Sequence, residues 1–312
     1  MNNNFNKQMK LYGYKNVFDE LINIYKNEKF PNKILFSGRS GIGKSTLAYH
    51  LTNYFLTLDD EKKYDIVENK INENNISFKL VLDNCHPNFF KIDLKEDKKN
   101  IEILQIRNMI NYVNKSSFNN EPKFVLIDNV EHLNANSSNA LLKITEEPNE
   151  NLFFILIHND SKKLIKTLKS RCLLFKINLT FDQSIFIANS LLNENVYQLL
   201  NKDLINFYFK PGDFIGLINF ARENEIKLHE YTLRTFLLLL INEGYYKKNY
   251  FVKSNIFNLI ELYFLRILYQ SKQKSKILTF YTKFINKINY TNKFNLDYES
   301  LFMEFKLKVL NG

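Results

Sequence analysis

The chain has few of the residues that build cross-linked or metal-bound folds. Its 312 residues contain two cysteines, five prolines, eight glycines and no tryptophan. Cys85 and Cys172 lie far apart in unrelated contexts, which excludes a four-cysteine zinc module and argues against a disulfide framework. Arginine is also scarce, with six residues in the whole chain. An arginine that falls on a functional motif is therefore more informative here than in an arginine-rich chain.

Long hydrophobic runs are absent as well. The runs at 152–157 and 236–241 are far shorter than the roughly 18 apolar residues of a membrane span. The first seven residues lack the apolar stretch of a signal peptide. The sequence therefore predicts a cytoplasmic protein without a membrane partner. Its 45% hydrophobic content, with 15% aromatic residues, is enough for a large core.

The charge balance is basic, with 43 Lys and Arg residues against 33 Asp and Glu residues and a net charge of +10. Clustered positive charge attracts anionic partners such as nucleic acid. A lysine-rich and asparagine-rich composition also arises when most lysines simply solvate the surface. Composition alone leaves both interpretations open.

The spacing of apolar residues divides the chain into two halves. Up to residue 177, short apolar runs typical of buried strands alternate with segments of helical spacing, which favours a parallel sheet covered on both faces. From residue 181 the spacing is helical throughout. We predict an α/β domain and then an all-helical part, with boundaries near residues 178 and 225. The predicted strands cover residues 34–36, 89–92, 124–127, 153–157 and 173–177.

A phosphate-binding pattern follows the first predicted strand. Residues 38–46 read G-R-S-G-I-G-K-S-T, between an apolar strand and a predicted helix, and match the P-loop pattern. The glycines allow backbone N–H groups to face phosphates, Lys44 can reach the outer phosphates, and Ser45 can ligate magnesium. A glycine-rich turn with a chance lysine is the alternative. The predicted binding residues are Gly38, Gly41, Gly43, Lys44, Ser45 and Thr46.

A second candidate metal ligand ends the third predicted strand. Asp128 follows the apolar run 124–127, the arrangement in which a carboxylate holds magnesium beside bound phosphates, usually through water. An aspartate at a strand end also serves as a turn or cap residue. The P-loop upstream favours the metal-binding role, with ATP and magnesium as the predicted ligands.

Several motifs together resemble the clamp-loader branch of the AAA+ ATPases. Residues 128–133 read D-N-V-E-H-L, residues 138–148 read S-N-A-L-L-K-I-T-E-E-P, and residues 170–172 read S-R-C. Residues 30–38 are similar to the opening strand of that family. Residues 86–90 are similar to a segment of its bacterial delta-prime group, which the chain resembles most. The resemblance covers residues 11–178.

The resemblance implies roles for two further residues. Arg171, in the S-R-C motif, would be an arginine finger that acts on the ATP of a neighbouring subunit; a surface ion pair is the alternative. Asn159 matches the sensor 1 position, where a polar side chain contacts the γ-phosphate or orients water; a turn-forming residue at the strand end is the alternative.

The resemblance also implies an architecture and a function. An AAA+ domain would cover residues 1–178, a helical lid 179–225 and a helical collar for oligomerisation 226–312. The chain would help to load a sliding clamp onto primer-template DNA in an ATP-dependent manner during replication. Its partners would be the other clamp-loader subunits, delta and gamma/tau, and through them the clamp and DNA.

Three departures favour a stator that supplies Arg171 over a motor subunit. Asn129 stands where active AAA+ ATPases carry a glutamate that polarises water, and an amide cannot accept that proton. Ile215 stands about where motor subunits place the sensor 2 arginine. The zinc-binding cysteines of motor-type bacterial subunits are missing between Lys44 and Asp128. The alternatives are a motor-type gamma/tau subunit and an unrelated stand-alone P-loop ATPase or kinase.

Overall fold

The computed structural model describes residues 8–95, 98–115, 121–146, 151–294 and 296–311. Glu147 and Pro148, which end the second resemblance motif, lie outside these residues, as does the asparagine-rich start of the chain. The described chain forms two compact units, Met1–Ile187 and Ala188–Gly312. The division into three domains with boundaries at 178 and 225 stays a prediction. No helix in the described ranges has both the length and the hydrophobicity that crossing a bilayer requires.

The first unit is built on a five-stranded sheet in which every neighbouring pair of strands is parallel. The predicted α/β class with a parallel sheet is confirmed. Each predicted strand lies within one or two residues of an observed one. The continuous apolar runs mark the central strands, which are buried on both faces, whereas the two edge strands are partly exposed. The strands are β1 Lys33–Gly38, β2 Phe89–Ile92, β3 Lys123–Ile127, β4 Leu152–Asn159 and β5 Leu173–Lys176. Their order in the sheet is β2-β3-β4-β1-β5.

Helices precede, connect and follow the strands of this unit. They are α1 Lys15–Lys26, α2 Lys44–Leu56, α3 Ile76–Leu82, α4 Ile103–Val113, α5 Ala135–Glu146, α6 Lys166–Lys169 and α7 Phe181–Leu192, and the last residues of α7 belong to the second unit. Two buried hydrophobic clusters lie against the sheet: one contains Phe18, Leu47 and Phe124, and the other contains Ile106 and Leu141. The two clusters use alternate residues of β3 and β4, as a sheet covered on both faces requires.

The spacing of apolar residues did not predict α3. This short helix follows a stretch rich in charged and polar residues, and Asn75 caps it by accepting a hydrogen bond of 2.8 Å from the Phe78 N–H. Asparagine is one of the favoured residues at a helix N-cap because its side-chain oxygen satisfies a free backbone donor. The capping residue was the signal that could have revealed the helix.

The second unit is helical, and the predicted helical C-terminal region is confirmed. Its helices are α8 Val196–Leu199, α9 Pro211–Glu223, α10 Leu233–Asn242, α11 Tyr245–Lys248, α12 Tyr250–Gln270, α13 Lys274–Phe294 and α14 Glu299–Phe305. Phe264, Phe284 and Phe305 are buried and pack ring against ring. α14 is followed directly by a π-helical turn, Lys306–Leu310.

Candidate functional site

The candidate site lies where the carboxyl ends of three strands come together. In the sheet, Gly38 at the end of β1 pairs with Asn159 at the end of β4, and Asp128 directly follows β3. Open parallel sheets bind ligands at this edge because the loops that leave the strands form a crevice there. The fold therefore brings the P-loop, Asp128 and Asn159 to one edge.

The P-loop runs from β1 to α2 in a backbone conformation that requires glycine. Gly41 and Gly43 have positive φ angles of +81° and +93°, in the left-handed region that side chains rarely adopt. At Gly38 the restriction is space, because a Cβ there would lie 2.2 Å from the carbonyl oxygen of Ile177. Gly43 is also the N-cap of α2, so the loop ends at the positive end of a helix dipole.

Lys44 begins α2 and is only 6% exposed. Its ammonium donates hydrogen bonds of 2.8 Å to the Gly38 carbonyl and 2.7 Å to the Arg39 carbonyl. The positive charge is thus held against the backbone of the loop itself. An anion in the curl of the loop would lie near a buried cation, and burial strengthens such an attraction.

The two predicted metal ligands are in direct contact. The Ser45 hydroxyl donates a hydrogen bond of 2.5 Å to Oδ2 of Asp128, across 83 positions of sequence. Asp128 is 6% exposed, and its Oδ1 accepts the N–H of Asn129 at 2.8 Å. A hydroxyl and a carboxylate are the oxygen ligands that magnesium prefers. Thr46 follows in the first turn of α2 and is half-buried.

The electrostatics of Asp128 follow from this burial. Desolvation and the nearby charge of Asp93 raise the pKa of Asp128 to about 6. The hydrogen bonds from Ser45 and the Asn129 N–H, together with the charge of Lys91, favour the ionised form and oppose that rise. A divalent cation beside Asp128 would shift the balance toward the carboxylate.

Asn129 adopts a left-handed backbone conformation with φ of +58°. Its side-chain N–H donates a hydrogen bond of 2.9 Å to Asp93, the residue directly after β2. Asp93 in turn lies 3.3 Å from the Lys91 ammonium. Asn129, which stands where the resemblance places a glutamate in active ATPases, is therefore held by Asp93 at the end of the neighbouring strand.

The side chain of Asn159 forms a turn. Its Oδ1 accepts hydrogen bonds from Ser161, 3.3 Å from the backbone N–H and 2.7 Å from the hydroxyl. The Asn159 N–H donates to Glu131 at 3.1 Å. This is the turn-forming arrangement that the sequence left open. The sensor role stays a prediction.

Arg171 lies outside this set of residues, just after α6. Its guanidinium pairs with Glu146 at 3.0 Å and donates to the Thr167 carbonyl at 3.1 Å. Its side chain is 36% exposed. The surface ion pair that the sequence left open is thus present, and the role of an arginine finger stays a prediction.

The chain matches a known protein family. The family model described as "DNA polymerase III, delta subunit" matches residues 13–180, which is more than half of the chain. The chain belongs to the DNA polymerase III delta subunit family. The match begins just before α1 and ends just after β5, so it covers the P-loop, Asp128 and the S-R-C motif.

The curated relatives of this delta subunit family member include several bacterial DNA polymerase III subunits. The gamma subunit of Buchnera aphidicola subsp. Schizaphis graminum is 34% identical over 183 residues, 57% of this chain and 46% of that protein. A delta' subunit of Pseudomonas aeruginosa is 32% identical over 138 residues, 44% of this chain and 40% of that protein. The delta' subunit of the same Buchnera is 26% identical over 285 residues, 87% of this chain and 84% of that protein.

The chain spans less than half the length of the first two relatives. The family match and the delta' relatives confirm the predicted resemblance to the delta-prime group of the clamp-loader branch.

The sequence did not predict two contacts of the candidate site in this member of the DNA polymerase III delta subunit family. Asp93, next to Asn129, had a signal, because it also directly follows a buried strand. Tyr14, which contacts the P-loop, had none.

Proposed function

We propose that the chain is a clamp-loader component that binds ATP with magnesium and takes part in loading a sliding clamp onto primed DNA during replication. The proposal that the chain binds ATP with magnesium rests on one observation. The Ser45 hydroxyl donates a hydrogen bond of 2.5 Å to Asp128, which joins the P-loop to the end of β3. Membership of the DNA polymerase III delta subunit family supports the replication role.

The P-loop fits a polyphosphate in both shape and donors. Gly41 and Gly43 supply the left-handed backbone angles of the curl, and Lys44 supplies a buried positive charge. Ser45 and Asp128 would hold magnesium, which neutralises phosphate charge when bound. The chain's own residues then orient the triphosphate and exclude water from its inner side.

Hydrolysis by the chain alone would be slow. Asn129 cannot accept a proton from water, and its amide is already bonded to Asp93. The binding half of an ATPase site is therefore present without the group that activates water. This combination fits a subunit whose nucleotide has a structural use.

Arg171 would act on a nucleotide held by a neighbouring subunit. Its exposed guanidinium and the S-R-C motif support this role, because a guanidinium stabilises the charge that develops on a transferred phosphoryl group. The partners would be the delta and gamma/tau subunits, and through the assembly the clamp and primer-template DNA.

The proposal is tested by calorimetric titration of the purified chain with ATP, with and without magnesium, and by native mass spectrometry of complexes recovered with it. We expect magnesium-dependent binding of one nucleotide and recovery of DNA polymerase III subunits. Absence of ATP binding would remove the nucleotide role. Recovery without any replication subunit would remove the clamp-loader role.

A motor-type subunit is the second candidate, because a gamma subunit is among the relatives at 34% identity. Asn129 and Ile215 oppose it, since both positions lack the side chains that motor subunits use. Steady-state turnover by the isolated chain separates the two candidates. Turnover of about one ATP per second or faster is typical of an active ATPase and would favour the motor.

A further inference from the structure

Tyr14 joins the segment before α1 to the P-loop. It is 4% exposed, and its hydroxyl donates a hydrogen bond to the carbonyl oxygen of Ile42, in the middle of the loop. Its ring also borders the next residue, because a Cβ on Gly43 would lie 3.4 Å from Cε2 of Tyr14. One side chain thus contacts both residues of the Ile42–Gly43 peptide.

The hydrogen bond fixes the orientation of that peptide. A trans peptide is planar, so its C=O and the following N–H point in opposite directions. With the Ile42 carbonyl directed at Tyr14, the Gly43 N–H faces away from Tyr14. In the described part of the chain no protein group accepts this N–H. The donor is therefore left free in the loop whose Gly38 and Arg39 carbonyls hold the ammonium of Lys44.

The segment that carries Tyr14 is itself anchored to α2. Nε2 of the buried His50 donates to the Gln8 carbonyl at 2.9 Å, so Nδ1 is the atom that accepts from the Tyr64 hydroxyl at 2.8 Å. Burial lowers the pKa of His50 to about 4, which keeps this neutral arrangement near pH 7. Residues 8–14 are therefore held at one end by α2 and at the other by the P-loop.

We infer that Tyr14 is a positioning residue for phosphate binding, which holds the Ile42–Gly43 peptide with its N–H available to a phosphate oxygen. This inference rests on the proposed nucleotide-binding function. Without the hydroxyl, the peptide can rotate and present its carbonyl, whose negative end repels phosphate. Burial raises the pKa of Tyr14, so the hydroxyl keeps the proton that it donates.

Tyr14→Phe tests the inference, because it keeps the ring and removes only the hydroxyl. Ser137→Ala is the matched control: the buried Ser137 hydroxyl also donates to a backbone carbonyl, that of Ile101 at 3.1 Å, but on the other face of the sheet from Tyr14. We expect Tyr14→Phe to weaken ATP binding about tenfold, the effect of one orienting hydrogen bond. Ser137→Ala should lower the melting temperature similarly and leave the ATP affinity unchanged. Equal ATP affinity in Tyr14→Phe and the natural chain would overturn the inference.

A second measurement needs no nucleotide. Hydrogen exchange of the peptide that spans residues 38–46, followed by mass spectrometry, should become several-fold faster in Tyr14→Phe and not in Ser137→Ala. If the natural chain binds no ATP, the proposed function fails while exchange still decides the role of Tyr14. Unchanged exchange in Tyr14→Phe would then show that the hydroxyl does not hold the Ile42–Gly43 peptide in its orientation.

Discussion

The strand-end site and the surface around Arg171 present polar groups in opposite ways. Lys44 and Asp128 are each 6% exposed and bonded within the site, whereas the side chains of Arg171 and Glu146 are 36% and 53% exposed. Buried polar groups are costly to leave without partners, but an exposed ion pair contributes at most about 1 kcal/mol. The polar groups of the strand-end site are therefore held by their bonds to one another. Arg171, by contrast, can exchange Glu146 for a new anionic partner at little cost in free energy.

The largest expected effect is that of Arg171→Ala in the assembled complex. Hydrolysis at the neighbouring site should fall by a factor on the order of a thousand, the lower end of what arginine fingers contribute elsewhere. ATP binding by this chain should not change, because Arg171 pairs with Glu146 and not with the P-loop. DNA-stimulated ATPase assays of the reconstituted complex measure the first effect and calorimetry the second.

Two further variants define the role of this arginine. Arg171→Lys should rescue poorly, since an ammonium lacks the planar fork of donors. Glu146→Gln removes the ion pair and leaves the guanidinium, so it should leave hydrolysis nearly intact. Unaltered hydrolysis and clamp loading with Arg171→Ala would mean that the surface ion pair is the whole role of this residue.

Lys44→Ala should weaken ATP binding about a hundredfold, because it removes a charge-assisted contact to phosphate. Lys123→Ala is a matched control, since Lys123 is also buried, at 5% exposure, and also donates to two backbone carbonyls. The control should lose stability and keep its ATP affinity. Equal affinities in the Lys44→Ala and natural chains would remove the strand-end site as the place of phosphate binding.

The pH dependence of magnesium-supported ATP binding should follow Asp128. Its pKa is raised to about 6, so the carboxylate is available above that pH and protonated below it. Affinity should therefore be highest above pH 7 and fall about tenfold between pH 7 and 5. Asp128→Asn gives the residual pH dependence of ATP itself. Identical pH profiles for the two chains would exclude Asp128 as a magnesium ligand.

The smallest effect is expected from Asn129→Glu in the isolated chain. The new carboxylate would lie beside Asp93 and Asp128, and no arginine arrives from a neighbour, so turnover should stay well below about one per second. Asn129→Glu combined with Asp93→Asn removes the repulsion and is the matched variant. Fast turnover by either isolated variant would show that only the general base was missing.

The sequence was most informative where a local pattern decides the structure. The run 124–127 is apolar throughout because β3 is buried along its whole length, and the P-loop pattern predicts its own backbone angles through Gly41 and Gly43. The sequence assigned Ser45 and Asp128 to one magnesium ion, which placed them near each other, but it did not predict their direct hydrogen bond.

The rest depends on which chain segments the fold brings together. Tyr14 meets Ile42 across 28 positions and Asn129 meets Asp93 across 36, and neither pair lies on a common periodic face. The order of the strands in the sheet decides such contacts, and apolar spacing does not encode that order. The partner of Arg171 was likewise beyond local patterns, because Glu146 lies 25 positions away.

The close approach of Gly38 to the backbone after β5 constrains the evolutionary drift of the loop. A side chain at this position would meet the Ile177 carbonyl at 2.2 Å whether or not nucleotide is bound. We expect a lineage that abandoned nucleotide binding to lose Lys44 freely and still to retain glycine at position 38. In such a lineage the glycine at position 38 would be retained because the sheet leaves no room for a side chain there. Only retention of Lys44 would then indicate selection for phosphate binding.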